Sequence, residues 1–234
     1  MEKAMDIIRS WDDIGDAFKV LIRNGMYLHG NPPKNWDLSK LYELFKDKPR
    51  DIHVLDIGCC GGHTLRFLQR MKFKHLKGID LYPLKGNKNK ILYLRDKMVA
   101  IMLFLRDRHS FKIRRGDGTK TLETKKHYDV VTCISVIEHG VPLPQFFQEC
   151  HRLLKPNGVL FITTDYNYKK IDTGAEDWTI YDEQEVNGII KLAGDHGFCL
   201  DGERITLGEN QGITCSSTGL KDEYTFISLC FRRA

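Results

Sequence analysis

The sequence predicts a doubly wound α/β fold. From Asp51 onward, short β-rich apolar runs alternate with helical patterns, as expected for a parallel sheet with covering helices. The first run leads directly into a glycine-rich turn, where such sheets place their ligand. A chain of 234 residues buries one sizeable core, so a single domain with additions is expected.

The elements follow in order. His53 to Ile57 reads as the first strand, with a helix over about 62–71 behind it. Leu76 to Asp80 is the second strand. A long helical stretch over about 89–108 carries Leu92, Met98, Ile101 and Leu105 along one face. Strands are expected at 111–114 and 128–134, then a helix over 143–154. Lys155-Pro156-Asn157-Gly158 stops that helix, because proline and glycine do not continue it. Val159 to Thr163 is the next strand. Residues 165–181 are polar and aromatic with little periodicity and read as a loop. A helix over 182–196 ends at Gly197, a natural left-handed stop. Strands near 199–205 and 224–231 close the chain, joined by a Gly-, Ser- and Asn-rich segment too long for a tight hairpin.

Residues 1–50 precede the first strand. Ile14, Phe18, Leu21 and Ile22 have helical spacing, as do Leu38, Leu41, Leu44 and Phe45. This segment is expected to be a helical cap, with residues 51–234 forming the main domain.

Composition narrows the classes of function. An apolar share of 41% and a charged share of 29% are ordinary for a globular chain. No apolar run approaches the roughly 20 residues that span a bilayer. The acidic start, MEKAMDIIRSWDD, does not resemble a signal peptide. The cysteines are odd in number and form no CxxC pair, which fits reduced thiols and a cytoplasmic location. The histidines do not cluster at metal-ligand spacing, so no metal is expected. Lysines and arginines recur from Lys85 to Arg115, although Asp96 and Asp107 interrupt them as on a solvated helix face.

The chemistry is concentrated in Val54-Leu55-Asp56-Ile57-Gly58-Cys59-Cys60-Gly61-Gly62. Glycines at a strand-to-helix turn let the backbone approach a ligand, and the helix start presents free N–H groups. The segment resembles the first motif of class I S-adenosylmethionine-dependent methyltransferases, an acid followed by alternating glycines. Asp56, Gly58 and Gly62 match; Cys60 replaces the middle glycine. Asp80 lies 24 residues after Asp56, at the end of the second strand. The resemblance gives that acid the two ribose hydroxyls, a role suited to a carboxylate with two acceptor oxygens. It places Asp117, in Gly116-Asp117-Gly118, near the adenine. Tyr128 to His139, ending in Ile137-Glu138-His139, and Leu153 to Leu160 match the family's fourth-strand segment and the turn into its fifth strand.

The resemblance implies a mostly parallel seven-stranded sheet in the order 3-2-1-4-5-7-6, with the last strand antiparallel. It implies S-adenosylmethionine as cofactor, S-adenosylhomocysteine as product, and Leu81, Gly118 and Ser135 as further cofactor contacts. A dinucleotide dehydrogenase needs Gly-x-Gly-x-x-Gly, but Cys60 and His63 stand where its later glycines belong.

His139 follows the fourth strand and is the candidate general base. His29, Tyr166 and Trp178 are candidate walls of the acceptor pocket. Asn31-Pro32-Pro33-Lys34 has the start of an amino-methyltransferase motif, but Lys34 replaces its aromatic and it precedes the fourth strand. The expectation is therefore transfer to an oxygen or nitrogen of a small molecule, with no membrane partner. The basic 85–115 stretch makes RNA or protein the alternative acceptor. A non-catalytic cofactor-binding protein is the third reading, suggested by Cys60.

Overall fold

The computed structural model describes residues 3–81, 111–209, 213 and 224–234. The helix expected over 89–108, nearly all of the basic run from Lys85, and most of the segment joining the last two strands lie outside these residues. Eight strands form one sheet: β1 (Met5–Ile7), β2 (His53–Ile57), β3 (His75–Asp80), β4 (Lys112–Arg115), β5 (Tyr128–Ile134), β6 (Leu154–Tyr166), β7 (Phe198–Leu200) and β8 (Thr225–Arg233). The described helices are α1 (Trp11–Arg23), α2 (Lys34–Phe45), α3 (His63–Arg70), α4 (Leu143–Leu153) and α5 (Glu183–Asp195).

The strand path is β1-β8-β6-β5-β2-β3-β4, with β7 also paired to β8. Strands β4, β3, β2, β5 and β6 run parallel, and β8 runs antiparallel to β6. Without β1, this is the doubly wound order expected from the sequence. The additional strand is a correction to an all-helical reading of the first 50 residues. Met5, Asp6 and Ile7 pair with Leu229, Ser228 and Ile227. Three residues are too few to show a period-2 pattern.

That strand also explains another departure. The sequence suggested a strand near 199–205, but β7 stops at Leu200. It pairs with Phe231–Arg233, while the preceding stretch of the same edge is occupied by β1. Conversely, β6 is longer than expected, because Leu154 already pairs with Tyr128. The expected stop at Lys155–Gly158 becomes an irregularity inside the strand, with Asn157 at φ 61°.

Successive residues of the central strands face opposite layers. Leu55, Val131, Leu160 and Ile162 pack with Phe146, Phe147 and Cys150 of α4 and Val186 and Ile189 of α5. Val54, Val130 and Phe161 pack with Leu38, Leu41 and Phe45 of α2 and Leu65 and Leu68 of α3. Burial on both faces is why these strands read as continuous apolar runs. Capping boxes fix two helix starts, Ser10 with Asp13 at α1 and Asp182 with Glu185 at α5. Within α1, Ile14 and Leu21 are buried, whereas Ile22 is exposed despite its helical spacing. No described helix is long and apolar enough to cross a membrane, and none of the six described cysteines forms a disulfide.

The parallel strands all point one way, which brings Gly58, Asp80, Asp117, Ser135 and Asp165 to a single edge of the sheet.

Candidate active site

The turn after β2 is shaped by close backbone approach. The Gly58 and Cys59 amides both donate to the Ile79 carbonyl, at 2.8 and 3.2 Å. A Cβ on Gly58, whose φ is 72°, would lie 2.3 Å from Val136 Cγ2, so only glycine fits. Gly62 closes the turn by donating to the Cys59 carbonyl at 2.7 Å, and its φ of 81° turns the chain into α3. No side chain caps that helix, so its first N–H groups offer an anion site. Cys60 is exposed and adopts φ 43°, the left-handed conformation that favours glycine. Its amide donates to Asp80 Oδ2 at 2.8 Å.

Asp56 is buried beneath this turn. Its Oδ1 accepts from the Thr132 hydroxyl at 2.7 Å, while Oδ2 has no hydrogen-bond partner. Burial pushes its pKa up to about 7; the Thr132 and Thr64 hydroxyls oppose the rise and the Asp80 charge adds to it. Gly118 lies against Ile57, where a Cβ would come within 2.4 Å of Cγ2. Asp117 is exposed, and its Oδ1 accepts from the Thr119 amide and hydroxyl at 2.8 and 2.7 Å. One of its oxygens is thus committed to a local turn. Leu81 is 52% exposed beside Asp80.

A second group of side chains extends this edge past β5. Lys34, at the start of α2, reaches across to donate to Ser135 Oγ. Its Nζ lies 3.5 Å from Asp37 Oδ2 and 4.1 Å from the centre of the Phe226 ring. Burial alone would depress the pKa of this ammonium, but Asp37, Asp165 and Glu138 outweigh burial and raise it. Lys34 is therefore a fixed cation. All three carboxylates are buried, and burial raises the pKa of each. Glu138 reaches about 8, with the neighbouring Asp165 charge as a further cause. Its Oε2 accepts from Thr164 Oγ1 at 2.9 Å, while Asp165 Oδ2 accepts from Trp178 Nε1 at 2.8 Å. Neither oxygen of Asp37 makes a hydrogen bond; its contact with Lys34 is ionic.

The structure therefore brings some of the expected site residues together and separates others. Ser135, with φ 52°, joins the two groups, since the next residue, Val136, packs on Gly58. His139 is exposed beyond Glu138, where its charge lowers the pKa of Asp165. Trp178 meets Asp165 and packs edge-on against Tyr224, with ring centres 5.7 Å apart. His29 stands against His63 at the start of α3, 4.8 Å between ring centres. Its loop is tied by Asn35, whose Oδ1 accepts from the His29 amide at 2.7 Å and whose Nδ2 donates to the His29 carbonyl at 3.0 Å. Tyr166 has no exposed surface and is packed in the core against the α4–α5 layer. Lys34, Asp37 and Asp165 were not singled out from the sequence as site residues. No local pattern joins positions that lie about 130 residues apart.

A strand order of this kind and a glycine turn over a buried acid define the class I S-adenosylmethionine-dependent methyltransferases. The chain belongs to the methyltransferase domain family, whose model matches residues 33–198. Among curated proteins it is similar to a ubiquinone biosynthesis O-methyltransferase of Pelagibacter ubique, 26% identical over 76% of this chain and 75% of that one. It is also similar to the protein of that name from Rickettsia prowazekii, 32% identical over 73% of this chain but only 60% of the relative's length. Among solved structures it resembles the geranyl diphosphate C-methyltransferase of Streptomyces coelicolor, with a TM-score of 0.58 and 14% identity over 92% of this chain and 88% of that one. A phosphoethanolamine N-methyltransferase of Haemonchus contortus, solved with S-adenosylmethionine, also gives 0.58 and 14%, over 84% of this chain and 52% of that one.

Proposed function

We propose that this chain transfers a methyl group from S-adenosylmethionine to a hydroxyl oxygen of a small-molecule acceptor. The observation that carries the reading is the continuity of the glycine turn with the Lys34–Ser135–Asp165 group, through Val136 and Ser135. The ubiquinone-pathway O-methyltransferases among the relatives support oxygen over nitrogen as the accepting atom.

The residues present fit the cofactor. The unpartnered Asp56 oxygen suits a cationic amine, and the uncapped start of α3 suits a carboxylate. Asp80 is placed for the ribose, with Leu81, Asp117 and Gly118 beyond it. Cys60 and Gly62 form the lip of the turn. When bound, the cofactor supplies an electrophilic methyl on a sulfonium, and the protein has only to align the acceptor and manage one proton.

His139 takes that proton, and Asp165 steadies the imidazolium that results. Trp178 holds the Asp165 carboxylate in place and forms one wall of the acceptor site. Lys34 fixes Ser135 between the two halves of the site. His29 closes the cofactor side and Tyr166 backs the site from the core.

The test is transfer of label. Purified protein is incubated with methyl-labelled cofactor and an extract divided into small-molecule, RNA and protein fractions. Label is expected in the small-molecule fraction, in products whose new methyl carbon carries the chemical shift of a methoxy group. Label confined to RNA or protein, or an N-methyl shift, overturns the reading.

A further inference from the structure

The opposite edge of the sheet carries a group of side chains with no part in methyl transfer. His53 opens β2, its register partner His75 opens β3, and His127 immediately precedes β5. Because β3, β2 and β5 are adjacent and parallel, the three imidazoles meet. His53 and His75 stack with ring centres 4.6 Å apart and planes 8° apart; His127 sits edge-on to His53 at 4.4 Å. They line a cleft of about 400 Å³ with Lys74, Lys77, Lys112 and Glu123. β2 is five residues long, which puts this cleft roughly 16 Å from the glycine turn.

We propose that this cleft is a binding site for a phosphate-bearing anion.

The charge balance carries the inference. Glu123 is the cleft's only acid among the described lining residues, and it is already satisfied. It accepts from Lys77 at 2.7 Å, from Arg114 at 3.0 Å and from the Tyr128 hydroxyl at 2.9 Å. The other nearby acid, Asp129, accepts from the His53 amide at 2.8 Å and is held by Lys155 at 2.8 Å. Lys74 and Lys112 form no ion pair among the described residues. Two free ammonium groups and three imidazoles therefore face one concave space without a counter-charge. A phosphate group, with several acceptor oxygens and up to two negative charges, matches that set of donors.

The imidazoles also make the site sensitive to pH. The His53 pKa lies below its ordinary value because of burial and the charges of His127, His75 and Lys155; Asp129 opposes the shift. A bound anion reverses that repulsion, so binding draws protons onto the imidazoles and strengthens as pH falls. A metal is a poorer fit. Stacked rings do not converge their nitrogens on one point, and no group of three ligating side chains among the described residues is placed to hold an ion.

The probe is inorganic pyrophosphate, titrated calorimetrically into the full chain at about pH 6 and about pH 8. Binding of one equivalent is expected, about tenfold tighter at the lower pH, with proton uptake visible as a dependence on buffer ionisation heat. The exposed double variant Lys74→Glu/Lys112→Glu should lose binding, and His75→Gln should flatten the pH response. Both should retain S-adenosylhomocysteine binding, which checks the fold independently of this cleft. Vesicles containing phosphatidic acid form a second arm. Co-sedimentation that pyrophosphate competes away and the double variant abolishes assigns the phosphate to a lipid headgroup. Pyrophosphate binding without vesicle binding assigns it to a soluble ligand. No pyrophosphate binding overturns the proposal, as does binding that is insensitive to both variants.

Discussion

The backbone amide of Cys60 donates to Asp80 Oδ2 at 2.8 Å, tying the tip of the glycine turn to the end of the neighbouring strand. Asp80 thus has a structural duty as well as its proposed role at the ribose. Asp80→Asn can still accept from that amide but loses one charged acceptor; Asp80→Ala loses both functions. Calorimetry with S-adenosylhomocysteine should show a loss of about 1–3 kcal/mol for the alanine variant and a smaller one for asparagine. Equal affinity in all three proteins would remove Asp80 from the cofactor site.

Cys60→Gly separates backbone conformation from thiol chemistry. Glycine adopts the φ of 43° without the roughly 1 kcal/mol of left-handed strain, but it gives the unfolded chain more freedom. The two effects offset, so chemical denaturation should move by less than about 1 kcal/mol and cofactor affinity should hold or improve. A large loss of affinity would instead give the thiol a specific contact.

Lys34→Met leaves three buried carboxylates without their cation. Unfolding should show a loss of about 3–5 kcal/mol, the range for a buried pair broken on one side. Adding Asp37→Asn removes one of the stranded charges and should recover part of it. A single variant as stable as the parent would mean that water reaches these groups.

Asp56 makes stability depend on pH. In the unfolded chain its carboxyl ionises near 3.8, and in the fold near 7. The folded state therefore holds the extra proton between those values, and this group's contribution to stability falls as pH rises through that window. Asp56→Asn should raise the melting temperature of the ligand-free protein above pH 7, by an effect of roughly 4 kcal/mol at most. The same change should weaken cofactor binding. A cationic ligand lowers the Asp56 pKa, so parent affinity should climb between about pH 5.5 and 7.5 while the variant stays flat.

His139→Asn tests proton removal. Activity should fall by about 10²- to 10⁴-fold with cofactor affinity unchanged, and added imidazole should restore part of the rate. Unchanged turnover would give His139 a purely structural place beside Asp165.

Most of the cofactor half of the fold was legible because its signals are local. β2, the glycine turn and α3 are contiguous, and Asp80 follows at the next strand end. The acceptor half depends on distant pairings. Lys34 was weighed only as a misfit in a proline motif, and Glu138 only as part of a strand-end signature. Their meeting with Asp165 depends on α2 crossing the edge of the sheet, which no periodicity encodes. β1 escaped notice for a related reason: its reality lies in the edge of β8, over 200 residues away.

That pairing bears on how the molecule is completed. The Ile8 amide bonds the Phe226 carbonyl at 3.1 Å, and the Phe226 ring lies under the Lys34 ammonium. Ribosomal synthesis thus delivers the nucleoside-facing turn early, whereas the wall opposite it waits for one of the last residues to emerge. A nascent chain will hold its cofactor pocket before it has anywhere to put a methyl acceptor.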